Sequence, residues 1–104
     1  MQVQYFKDLP LSPEVMKGIE ELGFRDLFPI QAQAIIPLLE GRDVIGQAQT
    51  GTGKTAAFGI PMVERLNPKD NSVQGLVLEP TRELAIQVAD HISRLSKYVA
   101  FKVL

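Results

Sequence analysis

The chain has no cysteine, which excludes a disulfide framework, a cysteine-ligated zinc site and a thiol nucleophile. It also lacks an excess of charge of either sign, with eleven basic and twelve acidic side chains and a net charge of −1. Bulk attraction to nucleic acid is therefore not its organising feature, although a local basic patch stays open. Long apolar runs are missing too. The longest, Ala34 to Leu39, has six residues with Pro37 inside it, far short of the ~20 needed to span a membrane. The first ten residues, MQVQYFKDLP, carry neither the charged start nor the apolar stretch of a signal peptide. There is no internal repeat and no low-complexity tract. The expectation is a soluble domain of the cytoplasm, with no membrane partner.

What is present suits one small globular domain. The 104 residues are 45% hydrophobic and 22% charged, close to the globular average, and a chain of this size buries roughly two-thirds of its unfolded surface. Ser12, Pro13 and Glu14 form a helix start, with Ser12 placed to cap. Val15, Met16, Ile19 and Leu22 share one face of the helix that follows, and Gly23 supplies a left-handed stop. A second helix is predicted from Pro29, carrying Ile30, Ala34, Ile35 and Leu38, with Pro37 kinking or ending it and Gly41 closing the turn.

The apolar period then changes. Asp43 to Ala48 is short, apolar at its centre and bounded by turn residues, so it reads as a buried strand. A glycine-bearing turn leads into a helix from about Lys54 to Leu66, and residues 67–72 form a polar loop. Leu76 to Leu78 reads as a second buried strand. The helix after it starts near Thr81 and places Leu84, Val88, Ile92 and Leu95 along one stripe. Residues 100–104 look like a third strand opening, which suggests the front of a longer domain. Strands alternating with helices predict an α/β fold with a partial parallel sheet of two to three strands flanked by helices.

The stretch Ala48-Gln49-Thr50-Gly51-Thr52-Gly53-Lys54-Thr55 follows a predicted strand and opens a predicted helix, the setting of a phosphate-binding loop. Gly51 and Gly53 let the backbone curl and aim successive N–H groups at anionic oxygens. Lys54 adds a compact positive charge, and Thr55 a hydroxyl able to ligate Mg²⁺. Ala48 occupies the first glycine position of the strict pattern. Glu79, at the end of the second apolar segment, is a candidate metal-binding acid, with a solvated strand-end glutamate the favoured reading. His91, the one histidine, lies on a polar stretch with no second titratable partner near in sequence and reads as solvated.

With these residues laid out, the chain resembles the N-terminal part of a DEAD-box RNA helicase, over nearly its whole length. Gly23-Phe24 followed by Pro29-Ile30-Gln31 looks like the Q motif, with Phe6 seventeen residues upstream at the family's aromatic position. Residues 48–55 are similar to motif I, in which alanine at the first place is usual, and Pro80-Thr81-Arg82-Glu83-Leu84-Ala85 looks like motif Ia. Leu27 and Phe28 depart from the proline and threonine or serine that the family commonly carries there.

The resemblance implies a RecA-like P-loop domain that binds ATP and Mg²⁺. Gln31 would read the adenine edge, Phe6 would pack on the base and Arg25 would touch it mainly through its backbone. The phosphates would be held by Gln49, Thr50, Gly51, Thr52, Gly53, Lys54 and Thr55, with Lys54 and Thr55 catalytic and Thr55 the Mg²⁺ ligand. RNA backbone would bind at Pro80, Thr81, Arg82 and Glu83. It further implies residues 1–41 as a Q-motif helical segment and 42–104 as the first βαβα units of RecA-like domain 1, with a second RecA-like domain as partner. The family's Asp-Glu-Ala-Asp and Ser-Ala-Thr motifs have no counterpart here, so the chain alone is expected to be inactive. Two other readings stay open: a self-contained small P-loop NTPase or kinase using Glu79, and a non-enzymatic binding module.

Overall fold

The computed structural model describes residues 3–48, 53–99 and 103. A 3-10 turn, Phe6–Asp8, precedes four helices: α1 Pro13–Glu21, α2 Pro29–Leu39, α3 Lys54–Arg65 and α4 Arg82–Leu95. Helix α3 is central, packed against α2 on one side and α4 on the other, while α1 touches both α3 and α4. The core is assembled from Phe6, Leu9, Val15, Ile19, Ile35, Ala56, Ile60, Val63, Val88, Ile92 and Leu95.

Helix boundaries follow the local chemistry of the termini. Pro13 and Pro29 occupy first-turn positions, where a missing N–H costs no bond. Gly23 and Gly41 take φ of 77° and 86° after α1 and α2, the left-handed conformation that stops a helix. Thr81 caps α4, its hydroxyl accepting the Leu84 N–H at 3.2 Å. Two expectations are corrected, and of the two outcomes expected at Pro37, kinking or ending the helix, the second is removed. The Ser12 side chain makes no cap bond. Its backbone N–H donates instead to the Glu64 carboxylate of α3 at 2.5 Å, which brings a negative charge to the positive end of α1. Pro37 lies inside α2, which runs on to Leu39; only one i→i−4 bond is forfeited there, in the last turn. Leu84 is exposed, because residues 82–87 are all uncovered and the buried stripe of α4 starts at Val88.

The first two predicted strands are not formed: among the described residues there is no sheet, and 42–48 and 73–79 carry no regular structure. Ile45 is fully exposed, while Leu76 and Leu78 are 76% and 83% exposed. A strand exists only where a neighbour takes up its N–H and C=O groups, and no described residue does so for either segment. The one ladder contact among the described residues is elsewhere. Tyr5 bridges Asp26 in antiparallel sense, flanked by Phe6 N–H to Arg25 O and Leu27 N–H to Gln4 O, each 2.9 Å. The start of the chain is thereby tied to the turn after α1. The third predicted strand, residues 100–104, falls outside the described residues but for Val103. None of the described helices is long and apolar enough to cross a membrane.

Leu95, fully buried, is where three helices meet. A Cβ on Gly18 of α1 would stand 2.6 Å from the Leu95 carbonyl oxygen, and one on Gly59 of α3 would stand 3.2 Å from the Leu95 side chain. Gly18→Ala is expected to destabilise the fold by about 1–3 kcal/mol, since overpacking against backbone outweighs the ~1 kcal/mol gained in helix propensity. Urea denaturation measures it, and unchanged or raised stability would show that α1 and α4 do not pack this closely.

Candidate nucleotide-binding and RNA-binding site

Helix α2 starts without a side-chain cap. Phe28, its N-cap residue, has no oxygen to offer the free N–H groups of the first turn. Gln31 supplies the other half of the motif: its Oε1 accepts the Phe28 N–H at 2.9 Å, the reach-back bond of a capping box. The far end of the same amide donates from Nε2 to the Gly53 carbonyl at 3.1 Å, across 22 residues of chain. Gln31 is 2% exposed and engaged at both ends. Glutamate there would leave the Gly53 carbonyl without a donor, and lysine would leave the Phe28 N–H without an acceptor.

Gly53, the N-cap of α3, has φ 78° and ψ 29°. Glycine is required twice over at this position. The left-handed backbone disfavours any side chain, and a Cβ would overlap Gln31 Nε2 and press to 3.0 Å on Phe28 Cδ2. Among the described residues no side chain caps α3, and no acidic residue stands in its first turn. Leading N–H groups and the positive end of a helix are features that favour an anion. Lys54 is exposed and Thr55 half-buried at this end. Gln49, Thr50, Gly51 and Thr52 lie outside the described residues; Ala48, just before them, is half-buried.

The residues expected to contact adenine are divided between two places. Phe6 is 2% exposed, a core residue rather than a free platform. Its ring stacks on Phe24 with centroids 5.4 Å apart and planes at 30°. Phe6 and Arg25 both line a hollow of about 370 Å³ with Tyr5, Met16, Ile19 and Phe24; Gln31 is not among its walls. The Arg25 side chain is exposed, 3.9 Å from Asp26, and its backbone carbonyl is taken by the Phe6 N–H.

At the start of α4, Pro80, Thr81, Arg82 and Glu83 are all exposed. Thr81 is occupied as a cap, and Arg82 forms no ion pair among the described residues. Glu79 is half-buried in the wall of a larger hollow, about 910 Å³, between α3, α4 and residues 68–79. No group of three or more acidic, histidine or cysteine side chains that could hold a metal occurs among the described residues.

His91 is not solvated as expected. It is half-buried, edge-on to Phe24 at 5.9 Å and 76°. Burial, aided by Arg94 and opposed by Asp90, holds its pKa below the ordinary 6.5. The signal was there: His91 follows Val88 by three and precedes Leu95 by four, on the flank of the buried stripe.

The sequence profile of the DEAD/DEAH box helicase family matches residues 28–104. The chain belongs to that family. It is 57% identical over 99 residues to the DEAD-box ATP-dependent RNA helicase CshA of Geobacillus kaustophilus, covering 95% of this chain and 21% of that protein. Identity to CshA of Bacillus subtilis is 54%, covering 95% and 20%. The chain thus spans about one-fifth of the length of these relatives. Among solved structures, a DEAD box protein from the hyperthermophile Methanococcus jannaschii superposes with TM-score 0.86 at 40% identity, over 91% of this chain and 26% of that one. Dbp5 of S. cerevisiae bound to RNA and ADP BeF3 superposes with TM-score 0.86 at 42% identity, over 94% and 26%. In this DEAD/DEAH box chain, then, the likeness extends to the overall fold even though no strand pairs with another among the described residues.

Two outcomes follow for this family member. Gly53→Ala is expected to cost about 1–3 kcal/mol, from backbone strain together with overlap on Gln31. The overlap part should disappear in a Gln31→Ala background, so a double-mutant cycle by urea denaturation should show positive coupling; strict additivity would mean the two residues do not touch. A lowered histidine pKa means that the unfolded chain binds the proton more readily, so stability contributed by His91 is full above about pH 6.5 and is lost as pH falls toward the folded-state value. His91→Gln should flatten that part of the stability profile between pH 7.5 and 5.5, and an unaltered profile would contradict the burial.

Proposed function

We propose that this chain supplies the ATP-binding surface and part of the RNA-binding surface of a cytoplasmic, ATP-dependent RNA helicase, the full protein coupling ATP hydrolysis to remodelling of RNA. The observation that carries the reading is the uncapped start of α3 behind a left-handed Gly53, with Lys54 and Thr55 on its first turn. Backbone N–H groups there grip the phosphates and Lys54 offsets their charge. Thr55 offers Mg²⁺ one hydroxyl, which suffices only when phosphate oxygens and water complete the shell. The printed names of the relatives, ATP-dependent RNA helicases, and the nucleotide and RNA in the Dbp5 complex support this.

Base selection follows from the two bonds of Gln31. An unrestrained amide can flip and accept either purine, but this one has Oε1 held at the Phe28 N–H and Nε2 at the Gly53 carbonyl. Its remaining lone pair and remaining N–H are therefore of fixed polarity. Adenine offers an N6 donor and an N7 acceptor to match; guanine sets its O6 acceptor against Oε1. Phe6 meets the base at the rim of a ring already locked in the core. Thr81 and Arg82, at the start of α4, hold RNA phosphate through N–H groups and a guanidinium. Water activation and the final metal acid belong to further motifs and to a second RecA-like domain, so the chain alone binds without turnover.

In the protein at its natural length, Gln31→Ala is expected to lower the ATP-over-GTP preference about tenfold or more. Equal binding of both nucleotides by the unaltered protein would exclude Gln31 as the base reader. Arg82→Ala should weaken single-stranded RNA binding several-fold at fixed salt while leaving Mg·ATP affinity alone; an unchanged RNA dissociation constant would remove Arg82 from the site.

A further inference from the structure

Phe6, Phe24 and His91 form a row of three rings drawn from three separate parts of the chain. Phe6 belongs to the opening 3-10 turn, Phe24 to the turn after α1, and His91 to the middle of α4. The first pair is stacked at 5.4 Å and the second meets edge-on at 5.9 Å, both within the range in which aromatic rings attract each other. Around the last ring, Asp90 and Arg94 pair with each other on α4 at 3.2 Å. Lys7 and Glu20 stand beside Phe24 in the wall of the neighbouring hollow.

Phe24 is partly buried against the core, with a ring on each of two sides. Its own N–H reaches the Ile19 carbonyl at a long 3.4 Å, and its ring plane is set by the rings on each side. One side is Phe6. The other is His91, delivered by a 14-residue helix whose buried face, Val88, Ile92 and Leu95, is anchored in the core. Removing the imidazole leaves a gap of several heavy atoms beside Phe24, and a ring facing a gap shifts toward it.

We propose that His91 is a positioning residue for the nucleobase: by packing on Phe24 it fixes the plane of Phe6, against which the base is placed. This rests on the ATP-binding role proposed above. His91 touches neither base nor phosphate, so its loss should weaken whatever contacts the base and spare whatever contacts only the phosphates.

The test compares Mg·ATP with Mg·tripolyphosphate, which has no base, by calorimetric titration of the protein at its natural length. His91→Ala is expected to weaken ATP about three- to tenfold with tripolyphosphate affinity unchanged. His91→Phe, which restores an aromatic edge, should recover most of the loss, and in a Phe6→Ala background His91→Ala should add nothing. Should His91→Ala fail to fold, His91→Leu carries the same comparison. Equal losses for ATP and tripolyphosphate would make His91 merely structural and overturn the proposal. So would full additivity with Phe6→Ala, or no effect of His91→Ala where Phe6→Ala weakens ATP. If Phe6→Ala itself leaves ATP binding intact while Lys54→Ala abolishes it, the assignment of Phe6 to the base fails, and the positioning role with it.

Discussion

A single carboxamide joins the two halves of this site. Gln31 uses its oxygen to complete the start of α2 and its nitrogen to hold the Gly53 carbonyl at the start of α3. Buried amides must have both ends satisfied, and here the satisfaction is structural, so the side chain is at once a helix cap, a clamp on the turn that opens α3 and an amide of fixed polarity. Gly53 is its complement. Any larger residue would drive into the amide, and any residue without freedom at positive φ would unmake the turn. Removing the clamp would leave α2 poorly capped and the start of α3 without its restraint, although α2 and α3 would keep their packing against each other.

The helices were legible because their determinants are local. Pro13, Pro29, Gly23, Gly41 and Thr81 act on the backbone within one turn, whatever the rest of the chain does. The strands were legible only as apolar segments. Whether Asp43–Ala48 and Leu76–Leu78 become a sheet depends on partners for their backbone groups, and none is supplied among the described residues. Ile45, Leu76 and Leu78 are exposed as a result. The same distinction explains Ser12, a good cap by type, which finds the Glu64 carboxylate across 52 residues instead.

The site was readable to the extent that it consists of short motifs. Gly53-Lys54-Thr55 does open a helix from a left-handed turn, and Thr81-Arg82 does begin another. Contacts between motifs were not readable, because nothing in the spacing of Gln31 and Gly53 shows that their side chain and carbonyl meet. Phe6 illustrates the cost of reading one residue alone. Assigned as a base platform, it is first of all a core ring on Phe24, and Phe24 in turn leans on a histidine expected in solvent.

The account stands or falls on whether Gln31 bridges Phe28 and Gly53 in solution. The most direct measurement is NMR of its side-chain amide: a through-hydrogen-bond scalar coupling between Gln31 Nε2 and the Gly53 carbonyl carbon, with hydrogen exchange slowed as for a buried donor. The structure predicts a measurable coupling and protected protons, both altered when Mg·ATP is added. A freely exchanging amide with no coupling, unmoved by nucleotide, would contradict it.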